Sequence, residues 1–424
     1  MKTRHYAIPN SQNVVRQTLA NGITVIVYPV PYVRSVSLVG SFCGGSLFDA
    51  PDLSGQAALT ATMLMRGTQR HSFDALHTLL EDTGADLGFG ASMSSVSFDG
   101  KGLAEDLPLL LDLLSECLRL PIFPDDELER LRTQTITALR YAEQDPRSRI
   151  GRALRQRIYA PEHPFYRPGA GTLESIPRVT AQQLRDFHAL HYGPREMIVT
   201  LVGHVDPAQA IEQVRARLED WQNPAQPARP ALPPMHGPQR PGREEIRLPG
   251  KTESLLVLGT LGPAEDAADL VAARLANSVL GEFGMMGRLG LRIREDAGLA
   301  YYASSHIEVR PGAGLWLIEA GVAPEHVEQT LAMALEEVHR MIEEEISDDD
   351  LADNQAQFTG RLPLSLESPG GVAVQLHAME RLNLSMDYLL NFSGIVQALR
   401  KADVLAAAQR YLKPEQFVTV IAGP

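Results

Sequence analysis

Cysteine is almost missing from this sequence. Only Cys43 and Cys117 occur in 424 residues, far apart, so neither a disulfide framework nor a Cys-x-x-Cys motif is available and both read as buried thiols. A basic excess is missing too: 39 Lys and Arg stand against 52 Asp and Glu, a formal net charge of −13. Nucleic acid is therefore not expected as a partner, because its phosphates need a basic footprint, whereas basic peptides would be tolerated better. No stretch approaches the roughly 18 apolar residues of a membrane-spanning helix. The first ten residues hold no apolar run ahead of a small-residue cleavage site. A soluble, cytoplasmic protein without a membrane partner is the expectation. Nucleophile elbow, phosphate loop and dinucleotide fingerprint are all absent.

What is present is enough apolar material for a sizeable core, 44% hydrophobic against 21% charged, in a chain too long for one compact unit of usual size. The chain repeats itself at long period. Residues 179–192, then Pro194 and 197–203, match 402–411, then Pro414 and 417–423. Each copy reads as a helix, a proline-containing turn and a buried strand. A second match sets the turn 84–90, a strand at 94–98 and a helix at 107–118 against the turn at Gly298, a strand at 314–320 and a helix at 327–342. Asn21-Gly22 ahead of the β-rich run 23–28 signals a hairpin. Between the copies lies a proline-rich stretch without hydrophobic period, a semi-rigid linker. The expected organisation is an N-terminal domain over 1–220, a linker over 221–243 and a homologous domain over 244–424. The expected class is α+β, each domain an antiparallel-rich mixed sheet packed with helices.

The most informative segment is Arg294-Glu-Asp-Ala-Gly-Leu-Ala-Tyr301. The apolar residues Leu289, Leu291 and Ile293 before it and Gly298 within it predict a helix stopped by a left-handed glycine, with a strand from about Leu299. A guanidinium and a phenol would then flank one turn. From the residues alone they could be a structural pair, the arginine covering helix-end carbonyls and the tyrosine half-buried on a strand. The segment resembles the Arg/Tyr element of the insulinase-like (pitrilysin, processing-peptidase) zinc peptidases, in the short-subunit branch whose chains pair. Further likeness runs through 163–172 and 364–368 and covers nearly the whole chain.

In that family a helix carries His-x-x-Glu-His, two zinc-binding imidazoles one turn apart and a glutamate base between them. The matching window, Gly55 to Thr68, keeps Met63, Leu64 and the closing Gly67-Thr68, but Ala58, Ala61 and Thr62 stand where the chemistry belongs. The third ligand would fall on Thr137 or Ala138, in a helix of about 127–143 ahead of Asp145-Pro146. The resemblance therefore implies a subunit without a metal or other cofactor of its own, inert alone. It would contribute catalytic Arg294 and Tyr301 to a heterodimer with a homologous zinc-binding chain that acts on peptides, or form a homodimer when isolated. The alternative is a catalytically dead structural protein of the same fold.

Three other features carry bland readings. His188 and His191 sit three apart on a helix without an acid or cysteine to complete a metal face. The acidic run 343–350 reads as a helix start capped by Ser347. Gly281 to Gly287 occupies the place of a substrate-sensing glycine loop in some relatives, or is a simple turn between helices.

Overall fold

The computed structural model describes residues 8–282 and 287–424. Two separate sheets account for the α+β class. The first contains β1 (Val15–Thr18), β2 (Thr24–Pro29), β3 (Ser35–Cys43), β4 (Asp86–Ala91), β5 (Ser95–Leu103) and β6 (Ile198–Gly203), in the order β1-β2-β6-β3-β5-β4. The second contains β7 (Gly242–Arg247), β8 (Ser254–Gly262), β9 (Ala300–Glu308), β10 (Gly314–Val322) and β11 (Val418–Gly423), in the order β7-β11-β8-β10-β9. Without β1 the two orders are the same. Each has one parallel pair, β2 with β6 and β7 with β11, and is otherwise antiparallel. The internal repeat of the sequence is thus a repeat of topology.

The hairpin at Asn21-Gly22 closes with Thr18 opposite Thr24, and Gly22 takes φ 93°, a left-handed conformation that only glycine adopts cheaply. Alternation explains the first core. Val25 and Val27 of β2 face one cluster, with Leu38, Phe98 and Leu114, whereas Ile26 and Tyr28 face another, with Val372, Leu376 and Met379. A strand buried on both faces must read as a continuous apolar run, as 25–28 does. In the second sheet Leu256, Leu258, Trp316 and Ile318 pack with the helices Leu270–Asn277, Val327–Glu343 and Lys401–Tyr411. The opposite face meets the helix Pro146–Ile158: a Cβ built on Gly259 would lie 3.1 Å from Leu154.

That helix precedes the linker, yet it belongs to the second sheet. The compact units therefore differ from a division at the linker alone. One comprises the residues up to Leu139, Pro168–Pro230 and Arg361–Phe392; the other comprises Arg140–Arg167, Ala231–Gly360 and Ser393–Pro424. Each sheet takes the cover of one face from the opposite half of the chain. The two exchanged helices start alike. Asp145 accepts from Ser148 N at 2.8 Å with Pro146 behind it, and Ser368 accepts from Gly371 N at 3.1 Å with Pro369 behind it. An N-cap acceptor followed by proline fixes the first turn in both.

Candidate functional site

The window that resembles the metal helix is a helix, Gln56–Met63. Asp49 holds its start, accepting from Gly55 N and Ala57 N at 2.8 Å each. Ala58 and Thr62, one turn apart, share a face, while Ala61 is buried. The Thr62 hydroxyl donates back to Ala58 O at 3.0 Å, so its hydrogen is already used. On the helix Asp125–Ala142, Thr137 is exposed and donates to Thr133 O at 2.9 Å, beside exposed Ala138. Methyl groups and back-bonded hydroxyls are not a zinc ligand set, which needs three or four N, S or carboxylate donors. Among the described residues no group of three or more His, Cys, Asp or Glu is arranged to hold a metal ion. The donor set does not fit zinc.

The Arg/Tyr element is intact. Arg294 lies in a π-helical stretch, Gly290–Asp296, a wider turn than the α-helix expected from the apolar spacing. Such local widening concentrates at functional sites because it re-aims side chains. Ile293 and Leu289 are buried, whereas Leu291 faces solvent. Gly298 ends the turn at φ 63°, its N–H donating to Arg294 O at 3.2 Å while Leu299 N–H reaches Ile293 O at 3.0 Å. Two residues later Tyr301 emerges at the start of β9, the edge strand of the second sheet. Its side chain is the most open of the large apolar groups, the residue 81% exposed. The Arg294 guanidinium carbon is 5.8 Å from the Tyr301 ring centroid, and Arg294 Nε is 3.4 Å from Glu295 Oε1. The Tyr301 hydroxyl makes no hydrogen bond among the described residues.

Nothing in the sequence singled out the next tyrosine. Tyr302 accepts from Arg147 Nη2 at 3.0 Å, Arg147 Nη1 reaches Glu319 Oε2 at 3.2 Å, and His306 Nε2 lies 4.0 Å from Glu319 Oε1. Burial raises the Tyr302 pKa, and the nearby Arg147 charge partly offsets this. Arg147 directly follows Asp145-Pro146, so the exchanged helix supplies this contact.

The remaining candidates take structural roles. His188 Nε2 is 2.8 Å from Leu118 O, and His191 packs between the Phe48 and Phe187 rings at 4.7 and 4.4 Å. Burial lowers the pKa of both, that of His191 to about 4. In the acidic run, Asp350 N donates to Ser347 Oγ at 2.9 Å at the start of the helix Asp348–Ser365, a cap. Of the glycine segment 281–287, residues 283–286 lie outside the described residues, and the reading of a substrate-sensing loop lies there with them. Cys43 and Cys117 are free and buried, their thiols pushed up to about 11 and about 12 by desolvation. No helix of the described residues is long and apolar enough to cross a membrane.

Comparison with known proteins agrees with the two-sheet fold. The insulinase (peptidase family M16) model matches residues 25–165, and the model described as the peptidase M16 inactive domain matches 178–358. The chain belongs to the insulinase, or pitrilysin-like, family of zinc peptidases. An uncharacterized zinc protease of Streptomyces coelicolor is 26% identical over 422 residues, 97% of this chain and 90% of that one. Another, from Bacillus subtilis, is 23% identical over 97% of this chain and 98% of its own length. Among solved structures, a peptidase M16 inactive domain from Pseudomonas fluorescens superposes with a TM-score of 0.89 at 28% identity, covering 97% of this chain and 98% of that one. A protease from Helicobacter pylori, 22% identical, has the same fold with a TM-score of 0.88 over 99% of this chain and 100% of that one.

Proposed function

We propose that this chain is the non-metal-binding subunit of a heterodimeric zinc endopeptidase, to which it contributes Arg294, Tyr301 and part of the substrate chamber. The observation that carries this reading is Tyr301 itself. A phenol 81% exposed, with a hydroxyl that has no partner among the described residues, gains nothing for the fold from that hydroxyl. Its neighbour Tyr302 has a partner in Arg147. A donor kept idle in this way suits a group that exists only in a complex. Zinc would be held by the homologous partner subunit through His-x-x-Glu-His, where it would supply the activated water.

The tasks of this chain are positioning and electrostatics. Tyr301 Oη–H would donate to the substrate carbonyl oxygen as it becomes an oxyanion. Arg294 would hold a neighbouring peptide carbonyl and, lying near the phenol ring, restrict where the hydroxyl points. Short connections tie both residues to the π-helical turn and to Gly298, so the backbone sets the separation of their Cα atoms.

The experiment is reconstitution with a zinc-binding chain of similar length. Neither chain alone should cleave a generic quenched peptide, and the mixture should cleave it with one zinc per pair. Hydrolysis by this chain alone, or a partner whose rate does not change on mixing, would overturn the reading.

A further inference from the structure

Strand β8 outruns its neighbour β11. The ladder between them ends at Gly259 opposite Val418, where the chain before β11 turns away, Phe417 N donating to Pro414 O at 3.3 Å, while β10 continues alongside Thr260, Leu261 and Gly262. Beside this unmatched end lies a cavity of about 450 Å³, lined also by the end of the helix Lys401–Tyr411, the loop after β8 and the tip of the β9–β10 hairpin. All of it belongs to the unit that holds the second sheet.

Thr260 forms part of the wall. Two residues beyond Leu258, it faces the same way as Leu256 and Leu258, on a side of the sheet that helices cover. It is 1% exposed, and its hydroxyl makes no hydrogen bond among the described residues. A hydroxyl held out of water without a partner is costly, and this one borders a cavity from which a bound molecule can supply the missing bond. Charged groups of both signs line the same space. Arg410 is already engaged, since its Nη1 lies 3.2 Å from Asp269 Oδ2, and Tyr411 Oη donates to Asp269 Oδ1 at 2.7 Å. Half-buried Lys413 and exposed Asp266 are not: neither side chain has an ion pair or hydrogen bond among the described residues, so the two do not pair with each other. Met235, Ala264 and Ala267 add an apolar wall, and exposed His236 stands at the rim.

We propose that this cavity binds a short free peptide by its two charged ends, the carboxylate on Lys413 and the ammonium on Asp266, with the Thr260 hydroxyl bonded to the peptide between them. A zwitterion uses both signs of charge, whereas a plain anion would be repelled by Asp266 and a plain cation by Lys413. The size agrees. Two extended residues span about 7 Å, and the cavity would be about 9–10 Å across if it were round. Its volume also falls within the roughly 300–1,000 Å³ of small-molecule sites. Met235, Ala264 and Ala267 offer apolar contact to an aliphatic side chain of the ligand. The site goes beyond the peptidase reading and does not rest on it, because neither Arg294 nor Tyr301 takes part.

The test is calorimetric titration of the full chain with the dipeptide alanyl-leucine, with its N-acetyl form and with its C-terminal amide. Wild type should bind the free dipeptide, and each cap should weaken binding by about tenfold or more, the usual worth of a hydrogen-bonded charge. Lys413→Gln should remove the penalty of the amide, and Asp266→Asn the penalty of the acetyl group, since each variant deletes the partner of one end. Thr260→Val keeps the shape and deletes the hydroxyl, so it should weaken all three ligands while the unliganded protein melts at the same temperature as wild type or higher. No binding of the dipeptide at millimolar concentration, equal binding of the three forms, or cap penalties that survive in both charge variants overturns the site. Acetate displacing the dipeptide at the dipeptide's own concentration overturns the peptide assignment in favour of a plain anion site. Wild-type affinity in Thr260→Val, or a clear fall in its melting temperature, overturns the part given to the hydroxyl.

Discussion

Arg147 donates a hydrogen bond to Tyr302 Oη at 3.0 Å, and its guanidinium carbon lies 5.4 Å from that ring, while the adjacent Tyr301 hydroxyl has no such partner among the described residues. Two tyrosines side by side on one strand are thus a natural control for each other. If Tyr301 acts on the transition state, Tyr301→Phe in a reconstituted heterodimer lowers kcat by on the order of a hundredfold, the usual loss for one oxyanion donor. Zinc content and assembly stay intact. Tyr302→Phe removes a hydroxyl of the same strand and should leave kcat nearly unchanged, at a stability cost under about 1 kcal/mol because Arg147 is largely exposed. Full activity in both Tyr301→Phe and Arg294→Ala heterodimers would reduce this chain to scaffolding.

The second prediction is metal content. Purified protein, dialysed against metal-free buffer, should contain no stoichiometric zinc by elemental analysis, because Ala58, Ala61 and Thr62 offer no ligand set. Restoring histidine at 58 and 62 and glutamate at 61 should still give weak binding, since Thr137 and Ala138 leave the third ligand unfilled. One zinc per wild-type chain, lost when the helix Gln56–Met63 is changed, would refute the argument.

Much of this was legible in the chain itself. The repeat shows as one pattern read twice, and the hairpin at Asn21-Gly22, the stop at Gly298 and the cap at Ser347 rest on local chemistry that acts over a few residues; the structure shows each. The motif positions 58, 61 and 62 could be placed because their flanks survive. Other features depend on which face a distant element covers. Nothing in Pro146–Ile158 announces that it packs on strands a hundred residues later, so the Arg147–Tyr302 contact was out of reach. The π-helical turn at Arg294 was also hidden, because buried Leu289 and Ile293 keep the i, i+4 spacing of an α-helix.

Acid sensitivity follows from buried imidazoles. Burial pushes His191 and His377 down to about 4, and Ser41 Oγ lies 2.9 Å from His377 Nε2. An unfolded histidine titrates near 6.5. Between these values the unfolded chain binds protons that the folded chain does not, so stability is full above about pH 6.5 and falls as pH drops towards 4. Melting temperature measured from pH 8 to 4 should show that decline. Replacing both histidines by glutamine should flatten it, whatever the change at pH 8. An unchanged slope in the double variant would assign the acid loss to other groups.

The last prediction concerns the linker, and the exchanged helices alter what cutting it should do. Its first part is tied down: Asn223 Nδ2 donates to Tyr192 O at 2.8 Å, and Gln226 Nε2 to Cys43 O at 3.2 Å. Its last part is tied too, by Gln239 N to Ile158 O at 3.1 Å and Arg240 N to Arg157 O at 2.8 Å. Between them Pro233 and Pro234 are exposed, and a site for a specific protease can be inserted after Pro234 with little strain. A chain divided simply at the linker would fall into two independent domains after cleavage. Here the N-terminal piece keeps residues 140–167, which cover the second sheet, and the C-terminal piece keeps 361–392, which cover the first. Separation would strip an apolar face from each sheet, Val372, Leu376 and Met379 from one and Leu154 from the other. Burial of that kind is worth roughly 1.5–3 kcal/mol for each large side chain. The nicked protein should therefore elute as one species on gel filtration, with the original melting behaviour, and come apart only in denaturant. Two folded fragments eluting separately in native buffer would show that neither sheet needs the helix it borrows.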